Sequence, residues 1–174
     1  MKDMINLGLR LMVVALLAGL LLAVTNYVTV EPIKMQIEAT ANEARVAVMP
    51  RGGDFEAVDG SFEGIESVFR NGEGYVFDII GNGYGSDGVK VTVGVLNSGD
   101  ISGIRINASS ETPGLGTKTT DESYYGQYAG KTLSNVDDIS AISGATVTSN
   151  AVKGAVKLAL GTFEASFREG GAAQ

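Results

Sequence analysis

The 174-residue chain contains no cysteine and no histidine. Without cysteine there is no disulfide, no thiolate-held iron–sulfur cluster and no thiol nucleophile. Without histidine the usual general base, the usual haem ligand and the commonest metal ligand are missing. No residue is therefore assigned as catalytic and none as metal-ligating. If such a chain does redox chemistry, an organic cofactor must carry it. Positive charge is also scarce: 13 Lys and Arg against 20 Asp and Glu leave a net charge of −7. That argues against nucleic acid as a partner, because duplex binding needs a basic face. A phosphate held locally by backbone N–H groups is still compatible with it.

What the chain does have is one long apolar run and many glycines. Leu11 to Val24 is uncharged and almost wholly apolar, and the uncharged run continues to Val30. About twenty helical residues cross the ~30 Å core of a bilayer. Tyr27 stands where an interfacial aromatic belongs, and Lys2 and Arg10 precede the run, which orients the N-terminus inside and the rest of the chain outside. Ala23 is followed by no good cleavage site, so the run reads as an uncleaved anchor rather than a signal peptide. No ionisable residue follows Arg10 within it, so it is not an ion path. About 140 residues remain beyond the run, enough for one core without staples.

Glu31-Pro32 reads as the exit from the membrane, and a mobile tether could begin there. Ile33, Ile37, Ala41, Ala44 and Val48 recur three or four apart, predicting a helix ended by Pro50 and Gly52-Gly53. Asp54 to Val58 and Gly64 to Arg70 read as short elements around a loop. Tyr75 to Ile80 reads as a strand. The glycine-rich stretch Gly81 to Gly88 has no Lys-Ser/Thr ending and leads into a strand, so it is a turn and not a phosphate loop. Val89, Val91, Val93 and Val95 alternate with Lys90, Thr92 and Gly94, predicting a half-buried strand. After the turn Asn97 to Asp100, Ile101 to Ile106 returns antiparallel, with Ile104 and Ile106 on one face. Thr117 to Gln127 begins a short helix, with Tyr124, Tyr125 and Tyr128 at helical spacing. In Asn150 to Phe163, the stripe Val152, Ala155, Val156, Ala159 and Phe163 opposes Lys153 and Lys157, as in a helix packed on a sheet. Glu169 to Gln174 reads as a frayed tail.

Two stretches carry candidate chemistry. Ser143-Gly144-Ala145-Thr146-Val147-Thr148-Ser149 is a small-residue turn with four hydroxyls and no charge, feeding that last helix. Ser and Thr cap helices, here Thr148 or Ser149, and a helix start with free N–H groups can hold a phosphate. Gly144 and Ala145 leave room for a bulky group. The second stretch is Glu111-Thr112-Pro113-Gly114-Leu115-Gly116, a proline-stiffened turn over which a flat aromatic ring can pack. Taken alone, the first is an ordinary capped helix and the second an ordinary Pro-Gly turn, with Glu111 a structural hydrogen-bond partner.

Together, and in this order, the two stretches resemble the FMN-binding domain family. That domain occurs in the G subunit of the Rnf electron-transport complex and in the C subunit of the sodium-translocating NADH:quinone reductase. The resemblance implies FMN joined through its phosphate to the hydroxyl of Thr146 by a separate flavin transferase. It implies that Ser143, Gly144 and Ala145 cradle the phosphate, that Thr148 supports the helix start, and that Glu111, Thr112, Gly114, Leu115 and Gly116 lie along the isoalloxazine ring. The family carries an Asp six residues before the acceptor; Ser140 stands there, with Asp137 and Asp138 upstream. The short chain fits the Rnf G subunit better than the quinone-reductase subunit. The expectation is therefore an α+β chain. Residues 1–30 form a short cytoplasmic N-terminus and transmembrane anchor in the inner membrane. Residues 31–174 form one extracytoplasmic domain with an antiparallel sheet packed by helices. It would relay electrons through FMN between ferredoxin and NAD, coupled to Na+ or H+ translocation, among other membrane and peripheral subunits. The C subunit of the sodium-translocating NADH:quinone reductase or another membrane reductase, and a cofactor-free anchored scaffold, are the alternatives.

Overall fold

The computed structural model describes residues 2–49, 51 and 53–168, the Asp3 side chain excepted. Pro50, Gly52 and the tail Glu169 to Gln174 lie outside the described residues. The chain falls into two compact units divided between Asn42 and Glu43.

Helix α1 runs unbroken from Lys2 to Val48 with Pro32 inside it. Glu31-Pro32 does not interrupt the helix, so the segment proposed as a tether is helical. A proline removes one backbone N–H, and a long helix tolerates that single loss. Most of the Ile33 to Val48 stripe is also not a buried face: Ile33 and Ile37 are exposed, whereas Arg45, Val48 and Met49 are buried. Only the final turn of α1 is packed. Met4–Val48 is long and apolar enough to cross a membrane.

The second unit is built on one antiparallel meander in the order β1-β2-β3-β4-β5. The strands are β1 (Glu56–Ala57), β2 (Ser67–Arg70), β3 (Gly74–Gly81), β4 (Val89–Leu96) and β5 (Ile101–Asn107). Each tight connection carries the glycines or Asn-Ser-Gly residues that turns require. Phe77 and Ile79 of β3, Val89, Val91, Val93 and Val95 of β4, and Ile101 and Ile104 of β5 form one inner face. Helix α3 (Thr146–Ser166) covers it with Val152, Ala155, Val156, Ala159, Leu160 and Phe163. Beyond its C-terminus Phe167 stacks on Tyr75 with ring centroids 4.3 Å apart.

β4 departs from the half-buried expectation, since nearly all of its residues are buried. The reason lies on the opposite face of the sheet. There Val48 and Met49 pack with Val76, Phe55, Phe69 and Leu96 in a second, smaller core. Gly94 and Gly103 leave the space: a Cβ on Gly94 would lie 2.9 Å from the Val48 carbonyl oxygen. A bulge between Gly94 and Val95 shifts the β4–β5 register, and the Ser102 hydroxyl donates to that same carbonyl. Arg45 donates to Asp78 from Nε at 3.2 Å and from a terminal guanidinium nitrogen at 3.0 Å. The Ser67 and Thr92 hydroxyls also donate to Asp78, at 3.1 and 2.6 Å.

Between β5 and α3 the chain forms short helical turns, including α2 (Glu122–Tyr125). Tyr124 and Tyr128 are core residues. Their hydroxyls lie 3.0 Å apart, and that of Tyr124 donates to the Ser149 carbonyl at 3.2 Å. Burial beside another phenol raises the Tyr128 pKa, so it stays neutral. The guanidinium of Arg105 lies over the Tyr125 ring.

Candidate functional site

Three segments distant in sequence meet at the N-terminus of α3. They are the β3–β4 loop Asn82–Gly88, the turn Glu111–Gly116 after β5, and the turn Ser143–Ala145 that opens the helix. Gly144 has φ +81, and the nearest atom to a Cβ built there is Leu115 Cδ2, at 3.6 Å. The two stretches singled out from the sequence are thus neighbours. Leu115 lies at the point of contact.

Helix α3 begins at Thr146, four residues before the sequence pattern suggests, with Ala145 in the cap position and no side-chain cap. The expected capping by Thr148 or Ser149 does not occur, because both hydroxyls are used elsewhere. Thr148 donates to Glu111 Oε2, and Ser149 Oγ accepts the Ile142 N–H at 3.0 Å. An uncapped helix start leaves its first N–H groups available to an external acceptor. Thr146 itself is exposed, as are Ser143 and Gly144, whereas Ala145 is buried. The arrangement fits a phosphate ester on Thr146: an exposed hydroxyl, unspent amide donors, and a glycine leaving space on the approach side.

Of the second stretch, Thr112, Gly114 and Leu115 are exposed on the same surface. Gly114 has φ +74, and a Cβ there meets nothing within 4 Å. Those residues offer open ground to a planar ring. Glu111 and Gly116 point the other way, into the protein. A Cβ on Gly116 would lie 2.7 Å from Glu111 Cβ and 2.9 Å from Thr148 Oγ1.

Glu111 is 3% exposed. Its carboxylate accepts the Thr148 hydroxyl, the Gly85 N–H at 2.9 Å and the Tyr84 N–H at 3.3 Å. Burial pushes a carboxyl pKa up; the hydroxyl and the two amides outweigh it and hold Glu111 below the ordinary glutamate value. The glycine-rich stretch Gly81 to Gly88 is the turn expected of it, and it does more than turn. It packs against the site: Gly83 and Gly85 have no room for a Cβ against Glu111 and Ser110. Glycines at alternate positions are the one sequence signal of that close approach.

Lys153 does not reach the helix start. It donates to the Asp137 carbonyl at 3.1 Å, while Lys157 pairs with the Asp137 carboxylate at 2.8 Å. That hydrogen bond is first among the effects holding Asp137 below the ordinary aspartate value. Val147, next to Thr146 in the chain, is 52% exposed. With Ile80, Ala151 and Leu158 it lines an open groove of about 580 Å³. Among the described residues no cluster of acidic side chains suits a metal ion.

Comparison with known proteins agrees with this geometry. The FMN-binding domain family matches residues 83–161, a span containing all three segments but for Asn82. The chain is 33% identical to the G subunit of the Na(+)-translocating ferredoxin:NAD(+) oxidoreductase complex of Acetobacterium woodii, covering 94% of this chain and 93% of the relative. It is 29% identical to the G subunit of the ion-translocating oxidoreductase complex of Methanosarcina acetivorans, covering 91% and 94%. It is also 29% identical to the G subunit of the proton-translocating ferredoxin:NAD(+) oxidoreductase complex of Clostridium ljungdahlii, covering 87% and 86%. The chain therefore belongs to the family of G subunits of ion-translocating oxidoreductase complexes and carries that family's FMN-binding domain.

Proposed function

We propose that the chain is the membrane-anchored flavoprotein subunit of an Rnf-type ferredoxin:NAD oxidoreductase complex, relaying electrons through FMN esterified to Thr146. The observation that carries this reading is the pairing of an exposed threonine hydroxyl, on the uncapped first residue of α3, with exposed Leu115 beside Gly144. Bound there, FMN supplies a centre that exchanges electrons singly or in pairs, which a chain without thiol or imidazole cannot do itself. The protein's part is to hold and orient it. Thr146 Oγ1 would carry the phosphoester, the helix-start amides would be the donors available to the phosphate, and Thr112, Gly114 and Leu115 would border the ring. The open apolar groove lined by Val147 and Ile80 suits brief docking with a donor or acceptor subunit, since electron-transfer encounters bury little area. A threonine hydroxyl without a base is a weak nucleophile, so a separate flavin transferase installs the ester.

In this reading residues 1–30 are the short cytoplasmic N-terminus and inner-membrane anchor, and residues 31–174 the extracytoplasmic domain. Lys2 and Arg10 ahead of the span support that orientation. A covalent link keeps the flavin at the site where a dissociable one would diffuse away.

Co-expression with a flavin transferase tests the reading. The full chain should gain the mass of one FMN less water and fluoresce in a denaturing gel. Thr146→Ala should abolish both, whereas Thr148→Ala should keep the modification. Fluorescence that survives in Thr146→Ala overturns the acceptor assignment. A colourless, unmodified wild-type protein would favour the scaffold alternative.

A further inference from the structure

Resting on the reading of Thr146 as the flavin carrier, we propose that Glu111 is the positioning residue of this site: its buried carboxylate ties the loop Asn82–Gly88 to the first turn of α3 and so fixes how Thr146 and Leu115 face each other. Glu111 does not itself border the cofactor, because it lies beneath the exposed surface formed by Thr112, Gly114 and Leu115. It acts through its partners. Thr148, two residues after Thr146, donates to Oε2; the backbone of Tyr84 donates to the same oxygen and that of Gly85 to Oε1. Leu115 is four residues along the chain from Glu111. One side chain therefore joins three segments.

Two further observations set this carboxylate apart from an ordinary buried acid. Among the described residues it forms no ion pair, and pairs such as Arg45–Asp78 and Lys157–Asp137 lie elsewhere. A buried charge with no counter-charge is held only by dipolar donors, and here all three partners are donors. Glutamine cannot reproduce the arrangement, because in either orientation its amide nitrogen would face a backbone N–H, of Gly85 or of Tyr84, with another donor. The packing is equally specific. A Cβ on Gly116 would crowd both Glu111 and Thr148, and one on Gly83 would overlap the carboxylate. The glycines at 83 and 116 let loop and turn close directly onto Glu111.

The test uses the full-length chain in detergent, with and without flavin transferase, as wild type, Glu111→Gln, Thr148→Val, Thr148→Ser and the Glu111→Gln/Thr148→Val double variant. In the unmodified protein, Glu111→Gln and Thr148→Val should each speed hydrogen exchange at Asn82–Gly88 by about tenfold, the weight of a hydrogen bond to a charged group. In the flavin-loaded protein both should lower the fluorescence anisotropy of the flavin and shift its midpoint potential. The double variant should do no more than the worse single one, because one link is cut twice. Thr148→Ser, which keeps the hydroxyl, should match wild type. Loaded Glu111→Gln with wild-type anisotropy and potential overturns the proposal, as do additive effects in the double variant. Should Glu111→Gln not fold, Thr148→Val decides alone. Fluorescence surviving in Thr146→Ala would instead sink the carrier reading, while the exchange measurements on unmodified protein would still show whether Glu111 holds the loop.

Discussion

A carboxylate with three donors and, among the described residues, no paired cation makes the site sensitive to acid. Glu111 titrates below its ordinary value in the folded chain. It therefore contributes stability above the unfolded glutamate pKa of about 4.3, and that contribution is lost as pH falls through the depressed folded value. Denaturant titration of wild type should show a fall on acidification below the ordinary glutamate range that Glu111→Gln, weaker at neutral pH, shows to a smaller degree. Gly116→Ala adds a methyl where Glu111 and Thr148 already stand 2.7–2.9 Å away. It should cost about 1–3 kcal/mol, read in the same titration, and loosen the Asn82–Gly88 amides. At this scale the candidate acceptor is legible in the sequence, since Ser143 to Thr146 is a local motif. The bonding of Glu111 is not. Its amide donors sit 26 and 27 residues away, and no local pattern announces a pairing across the two strands β4 and β5.

Among the elements, α3 joins core to site. Its stripe from Val152 to Phe163 is readable because amphipathic spacing is a property of the helix alone. Its first residue is not, because Thr148 and Ser149 resemble caps and instead bond away from the helix axis. Phe163 is 1% exposed, packed edge-on to Tyr75 at 5.8 Å. Phe163→Ala should cost about 3–5 kcal/mol, measured by thermal unfolding in detergent, without removing Thr146 or its neighbours from the surface. β4 teaches the converse lesson. Alternating valines tell of one buried face, but the burial of Thr92 and Gly94 depends on what lies across the sheet, and that partner comes from the far N-terminal side of the sequence.

At the scale of the whole molecule, the helix carrying the apolar run also supplies residues to the sheet's second core. The Arg45–Asp78 pair is 7% and 1% exposed at its side chains, with the guanidinium 3.7 Å from the Phe69 ring centroid. Removing one member of a buried pair leaves the other uncompensated, so Arg45→Ala should destabilise the second unit by about 3–5 kcal/mol. Replacing Arg45 with Met and Asp78 with Leu together should recover part of that loss; chemical unfolding of the two variants checks both statements. The apolar helix is legible from hydropathy. Its unbroken passage through Pro32 is not, because a proline ends most helices.

The glycine-floored slot that receives Val48 has a practical corollary for anyone seeking a soluble form. A protein trimmed to begin after Met49 would discard the plug and leave Asp78 without its guanidinium. One trimmed just upstream of Glu43 would retain both. The boundary between what inserts and what folds is thus set by where the sheet stops gripping the helix, well downstream of where the greasy stretch ends.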